Sequence, residues 1–122
     1  MTPQRVSLIT LGVADLERSK MFYAGLGWVP APCGGDTVVF YQLRGFVLGL
    51  FGRYALAEDQ NRPATELGTG AMTLALNMMD RESVNEAYQS ALQAGATSLK
   101  EPQEVFWGGY SGYYALGKTC FV

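Results

Sequence analysis

The side chains that most often carry chemistry are sparse in this sequence, and one of them is missing: there is no histidine. That removes the commonest general base and the commonest transition-metal ligand together. Cys33 and Cys120 are available as nucleophiles, but neither has an imidazole to activate it. Glu58, Glu66 and Glu104 could serve as a general base if burial raised a carboxyl pKa, yet nothing in their spacing places one in a cavity. Ser90 and Ser111 stand outside any nucleophile-elbow pattern, and no phosphate loop, zinc spacing or calcium loop occurs. Arg44 and Arg53 have the charge to hold an anion at a rim, although solvated surface arginines read the same way. What the chain does offer is aromatic area, in Phe40, Phe51, Trp107, Tyr110 and Tyr113. Flat rings with a polar rim suit a planar or apolar ligand, and they equally suit ordinary sheet packing. Trp107 and Tyr110, separated by Gly108-Gly109, are the strongest binding candidates of the set.

The elements that must position these rings fit one domain, residues 1–122, of ordinary size. Hydrophobic residues make up 48% and charged residues 16%, enough for a core and against disorder. The net charge of −2 is spread without a block, so no basic face for nucleic acid is visible. The longest apolar run, Phe46 to Phe51, is far short of the roughly 20 residues of a membrane-spanning helix. Met1-Thr2-Pro3-Gln4-Arg5 lacks the layout of a signal peptide. Two cysteines make no disulfide framework, so the expectation is free thiols in a reducing cytoplasm, with a single Cys33–Cys120 bridge as the alternative.

Val6 to Val13 is almost wholly apolar and reads as a strand covered on both faces. Asp15 is a good N-cap for a helix whose inner stripe is Leu16, Tyr23 and Leu26, with Phe22 beside it, and Gly27 ends that helix. Trp28 to Pro30 reads as a short extended piece, followed by a turn-rich loop at Pro32, Gly34 and Gly35. Thr37–Gln42 and Phe46–Phe51 form a hairpin over Leu43-Arg44-Gly45. Gly52 to Gly70 breaks the pattern, with a helical turn or two in Tyr54 to Gln60. The order then recurs: a strand from Ala71 to Met78, a cap at Asp80, and an amphipathic helix on Val84, Ala87, Tyr88, Ala91 and Leu92, closed by Gly95. Thr97–Leu99 and Glu104–Trp107 read as extended, bent around Pro102, with Tyr110–Ala115 and Thr119–Val122 as the last strands.

Laying one half on the other pairs Leu8 with Thr73, Asp15 with Asp80, Gly27 with Gly95, Gly45 with Gly117, and Gly49 with Phe121. The fold class expected is α+β: two βαβββ modules, 5–52 and 71–122, joined by a linker at 53–70, with a shortened last strand. They should form an incomplete, barrel-like mixed sheet around a cavity, with the helices outside.

Leu8-Ile9-Thr10-Leu11-Gly12-Val13, Asp15-Leu16, Ser19, Phe22-Tyr23, Leu26-Gly27-Trp28 and the segment Phe106 to Tyr113 resemble the vicinal oxygen chelate superfamily. That superfamily includes glyoxalases, extradiol dioxygenases and bleomycin-resistance proteins. The resemblance covers nearly the whole chain; it implies the fold and leaves the activity open, because one scaffold hosts many chemistries. In metal-dependent relatives the ligands come from the first and last strands of each module. Carried over, those places hold Leu8, Gly49, Thr73 and Phe121, which make no serviceable metal site, so neither metal nor other cofactor is expected. The resemblance would instead make Leu8, Thr10, Thr73, Ala75 and Phe121 part of a ligand-binding face with the aromatic candidates. Leu116-Gly117-Lys118 replaces the acidic turn of the nearest group, and the short final strand should leave a sheet edge for the linker or a partner to cover.

Three readings follow. The favoured one is metal-independent capture of an apolar or aromatic small molecule in a cavity between modules, as in bleomycin-resistance relatives. The others are a metal-independent glyoxalase-like lyase or isomerase, and a structural module with a filled core. A homodimer is expected, with no nucleic-acid or membrane partner.

Overall fold

The computed structural model describes residues 2–117 and 119–121. Its contacts divide the chain into two units, one of residues 1–20 and 28–67, the other of 21–27 and 68–122.

The first unit is built on three strands, β1 (Leu8–Val13), β2 (Val38–Gln42) and β3 (Val47–Gly52), in the order β1-β3-β2. β1 runs parallel to β3, and β2 antiparallel to it. Register makes the two faces different. Leu11 stands opposite Leu50 and Val39, and Ile9 opposite Leu48 and Tyr41. Leu11, Val39, Tyr41, Leu48 and Leu50 are all buried, so this face carries the core. Trp28 meets Tyr41 edge to face, with ring centres 6.1 Å apart. The other face holds Leu8, Thr10 and Gly12, and Leu8 stays 46% exposed. This face is covered only in part, with Leu56 lying against Gly12 while the Leu8 end stays open, despite the unbroken apolar sequence of β1.

The extended piece expected at Trp28–Pro30 is not a strand. Pro30 and Pro32 have no N–H to give to a ladder. A bridge from Gly34 to Val39 and bonds from Ala31 N to Phe40 O (2.7 Å) and Gly35 N to Val38 O (3.1 Å) reach the free edge of β2.

After β3 the chain turns directly into helix α2 (Arg53–Asp59), then a 3₁₀ turn at Ala64–Glu66. Asn61, at φ 57°, ends α2 in the left-handed conformation that asparagine tolerates. Arg53 is half-buried. Its Nη2 donates to the carbonyls of Ala64 and Leu67, each at 3.2 Å, and ties the helix to the turn.

Helix α1 (Leu16–Gly25) starts on Asp15, whose Oδ1 accepts from Arg18 N at 3.1 Å. Ser19, Phe22 and Tyr23 are buried on its inner face. In the second unit, helix α3 (Arg81–Gln93) starts the same way, with Asp80 Oδ1 accepting from Ser83 N at 2.7 Å. Both helices end on glycines of positive φ, Gly27 (87°) and Gly95 (114°), as the internal repeat requires.

The second sheet contains β4 (Thr73–Leu74), β5 (Thr97–Glu104), β6 (Tyr110–Leu116) and β7 (Thr119–Phe121), in the order β4-β7-β6-β5. Again the first strand of the unit runs parallel to the last, and the last antiparallel to its predecessor. β4 is only two residues long, where the sequence predicts a strand from Ala71 to Met78. The short β7 lies inside the sheet, and the edges belong to β4 and β5. β5 is one irregular strand rather than two, with register shifts at Ser98/Lys100 and Lys100/Gln103 that absorb Pro102. That proline, the bulges and the charges on β5 suit an exposed edge.

An aromatic cluster fills the core of this unit. Phe121 stacks on Tyr114 at 5.1 Å, and Phe22 and Tyr23 of α1 close on it at 5.9 and 6.3 Å. Tyr88 of α3 meets Tyr114 edge to face, and its hydroxyl hydrogen-bonds Ser98 Oγ. Neither sheet closes into a barrel, so the architecture is mixed α+β with small open sheets. No described helix is long and apolar enough to cross a membrane.

Candidate functional site

The predicted binding residues separate into distinct groups. Leu8, Thr10, Phe40 and Phe51 share the partly covered face of the first sheet. Thr10, Gly49 and Phe40 lie in one cross-strand row, and Gly12, Phe51 and Val38 in the next. A Cβ on Gly49 would come within 3.2 Å of the Phe40 ring and 3.3 Å of Thr10 Oγ1, so a side chain there would crowd both.

Trp107, Tyr110 and Tyr113 line a groove of about 820 Å³ in the second unit. Its walls are the first half of α3, the stretch 76–78 after β4, and the bent ends of β5 and β6. Drug-sized sites typically measure about 300–1,000 Å³. The groove falls within that range of size and has an aromatic lining.

The aromatic walls are held from outside the groove. Tyr110 OH donates to Asn85 Oδ1 at 2.9 Å, and the Arg81 guanidinium lies 4.9 Å from the centre of the Tyr110 ring. Arg81 also donates to Glu104 Oε1 at 2.8 Å. Residues of α3, β5 and β6 are thereby linked at one end of the groove. Trp107 folds back over Gly109, where a Cβ would fall 2.0 Å from its Cζ3. The turn beneath closes with Val105 N to Gly109 O and Gly108 N to Val105 O, both 2.9 Å. Trp107 is 67% exposed at the tip of this turn.

The remaining predicted residues are elsewhere. Phe121 is 1% exposed inside the aromatic core and is committed to packing. Thr73 and Ala75 are exposed and do not line the groove. Asn77, Lys100 and Ser111 do line it, and residue types alone did not single them out. What selects them is the fold: the register shifts in β5 and the brevity of β4, neither legible in composition. Cys33 is an exposed free thiol. The side chain of Cys120 lies outside the described residues, as do Met1, Lys118 and Val122.

Residues 5–117 match the sequence model of the Glyoxalase/Bleomycin resistance protein/Dioxygenase superfamily. The chain belongs to this superfamily. Among solved structures it is similar to a glyoxalase-related enzyme from Fulvimarina pelagi, at 32% identity and TM-score 0.85, over 98% of this chain and 89% of that one. A glyoxalase/bleomycin resistance protein/dioxygenase family enzyme from Burkholderia phytofirmans PsJN matches at 18% identity and TM-score 0.84, over 94% and 93% of the two chains. Lactoylglutathione lyase from Agrobacterium tumefaciens matches at 19% and TM-score 0.73, over 98% and 92%. At such identities the last two show the shared fold. No curated protein matches the chain.

Metal-dependent superfamily members would need donors on the first and last strands of each half, and the residues here do not fit that group. Leu8 is aliphatic, Thr73 offers only a neutral hydroxyl, and Gly49 has no side chain and is crowded by Phe40 and Thr10. Among the described residues no group of three or more histidine, cysteine, aspartate or glutamate side chains could hold a metal ion.

Proposed function

We propose that this superfamily member is a small-molecule-binding protein that captures an apolar or aromatic ligand, without a metal, by sequestration rather than turnover. The observation that carries the reading is the groove of the second unit, which collects Trp107, Tyr110 and Tyr113 around about 820 Å³. Ring faces supply contact area at little entropic cost, since each has few torsions to freeze. The clamp on Tyr110 pre-orders one wall, and pre-ordering raises affinity by lowering what binding must immobilise. The one carboxylate of the groove, Glu104, is exposed and paired with Arg81 rather than buried as a general base would be, which favours holding over converting.

The test is titration with 1-naphthylmethanol, a neutral aromatic probe, followed by tryptophan fluorescence and thermal shift. Saturable binding is expected, weakened about tenfold or more by Trp107→Ala, with the probe recovered unchanged. Binding indifferent to Trp107→Ala would remove the groove from the mechanism. Chemical conversion of a bound ligand would favour the lyase-like reading instead.

A further inference from the structure

We infer that the preferred ligand of this groove is an aromatic anion, a planar ring carrying a carboxylate, with Lys100 as the residue that selects the charge. The inference rests on the groove being the binding site and adds the chemical class of what it binds.

Two charged residues line the groove, Lys100 and Glu104. Glu104 is already satisfied, because Arg81 holds its carboxylate at 2.8 Å. Lys100 has no ion-pair partner among the described residues. Glu101, next to it on β5, does not line the groove. Counting Arg81 with the glutamate it neutralises, the site keeps one uncompensated positive charge in a chain whose net charge is −2.

The neutral polar groups point to the same class. Tyr110 and Tyr88 have their hydroxyls engaged with Asn85 and Ser98. Ser111, Tyr113 and Asn77 line the groove with no side-chain hydrogen bond to another described residue. A carboxylate accepts only, so a cation with hydroxyl and amide donors matches it. A ligand ammonium would face Lys100 with a like charge and find Glu104 already taken.

Lys100 owes its place to the β5 irregularity. It pairs with Tyr113, while Ser98 pairs with Tyr114, so Leu99 is the extra residue of a bulge. The bulged backbone then passes directly over Gly112, where a Cβ would meet Lys100 O and Pro102 N at 2.8 Å. Bulge and glycine together set the lysine across from Tyr113.

The experiment compares 1-naphthoate with 1-naphthylmethanol, matched in ring and differing in charge, on the full chain. The wild type is expected to bind naphthoate about tenfold more tightly, the scale of one charge-assisted hydrogen bond. Lys100→Met, which keeps the aliphatic stem, should erase that preference, and Lys100→Arg should restore it. Added salt should weaken naphthoate alone. If the alcohol binds in a Trp107-dependent way but naphthoate gains nothing, or the preference survives Lys100→Met, the anion assignment falls and the groove stands. If neither probe binds, both fall.

Discussion

The Arg81 guanidinium packs 4.9 Å from the centre of the Tyr110 ring while bonding Glu104 at 2.8 Å, so one side chain braces an aromatic wall and neutralises the carboxylate beside it. Both ends of the ion pair are well exposed, at 58% and 71%, and exposed pairs contribute little to stability. Arg81→Ala is expected to cost no more than about 1–2 kcal/mol in urea unfolding, counting the cation–π contact. Its effect on naphthoate affinity should be larger in proportion, because Tyr110 loses its brace and Glu104 regains a free charge. A large stability loss with unchanged affinity would make Arg81 a packing residue instead.

Trp107 and Gly109 make a second, separable prediction. A Cβ at Gly109 would fall 2.0 Å from Trp107 Cζ3, so Gly109→Ala must displace the indole. The ring is exposed, and the substitution should change stability by only about 0.5 kcal/mol. Tryptophan emission and naphthylmethanol binding should both shift. Unchanged emission would show that the indole does not rest on Gly109 in solution.

At Gly112 the obstacle is backbone. Lys100 O and Pro102 N would both lie 2.8 Å from an added Cβ, and neither can turn aside as a side chain does. Gly112→Ala is expected to cost about 1–3 kcal/mol through overpacking, read by urea unfolding, and to disturb the β5 bulge that places Lys100. A neutral result would mean β5 is looser than this register allows.

Much of the frame was legible in the residues because it rests on local rules. Asp15 and Asp80 cap helices as their types suggest, and Gly27 and Gly95 stop them with positive φ. The α3 stripe ending in Tyr88, Ala91 and Leu92 follows from spacing alone. What escaped depends on pairing. The apolar run Val6–Val13 does not reveal which face is covered, and only register with β3 separates Leu11 from Leu8. Phe121 aligned with Gly49 along the chain, yet Gly49 pairs with Thr10 while Phe121 pairs with Leu74, a partner of opposite parity in the repeat. One residue of offset turns a side chain to the other face, which is why Phe121 lies in the core. Lys100 was invisible for the same reason, since its place depends on a bulge.

The two caps allow a matched pair of substitutions. Asp80→Ala and Asp15→Ala should each lower stability modestly, as the loss of an N-cap does. Bonds from Ser83, backbone first and side chain second, hold the Asp80 carboxyl below its ordinary 3.8. A lowered pKa means the folded chain releases this proton more readily than the unfolded one. The contribution of Asp80 is therefore present above pH 3.8 and fades as pH falls through the lower folded value. Unfolding curves from pH 6 down should show Asp80→Ala converging on the wild type at the acid end; a constant difference would contradict the cap.

Tyr114 sets the behaviour at the alkaline end. Burial in the aromatic cluster raises its phenol from 10.0 to about 12, because the phenolate would lose its hydration there. The unfolded chain gives up this proton near pH 10, while the folded chain keeps it to about 12. Between those values the unfolded state binds fewer protons, so stability falls as pH rises, and the loss levels off once the folded phenol also ionises. Tyr41, raised by burial in the first unit, acts in the same direction. Tyr114→Phe keeps the ring that stacks on Phe121 at 5.1 Å and removes the titrating group. Its unfolding midpoint in urea should decline less steeply than the wild type's from pH 10 to 12, with Tyr41 accounting for part of the remainder. Equal slopes for the two proteins would mean that Tyr114 is hydrated in the folded state, and that the cluster around Phe121 is open to water.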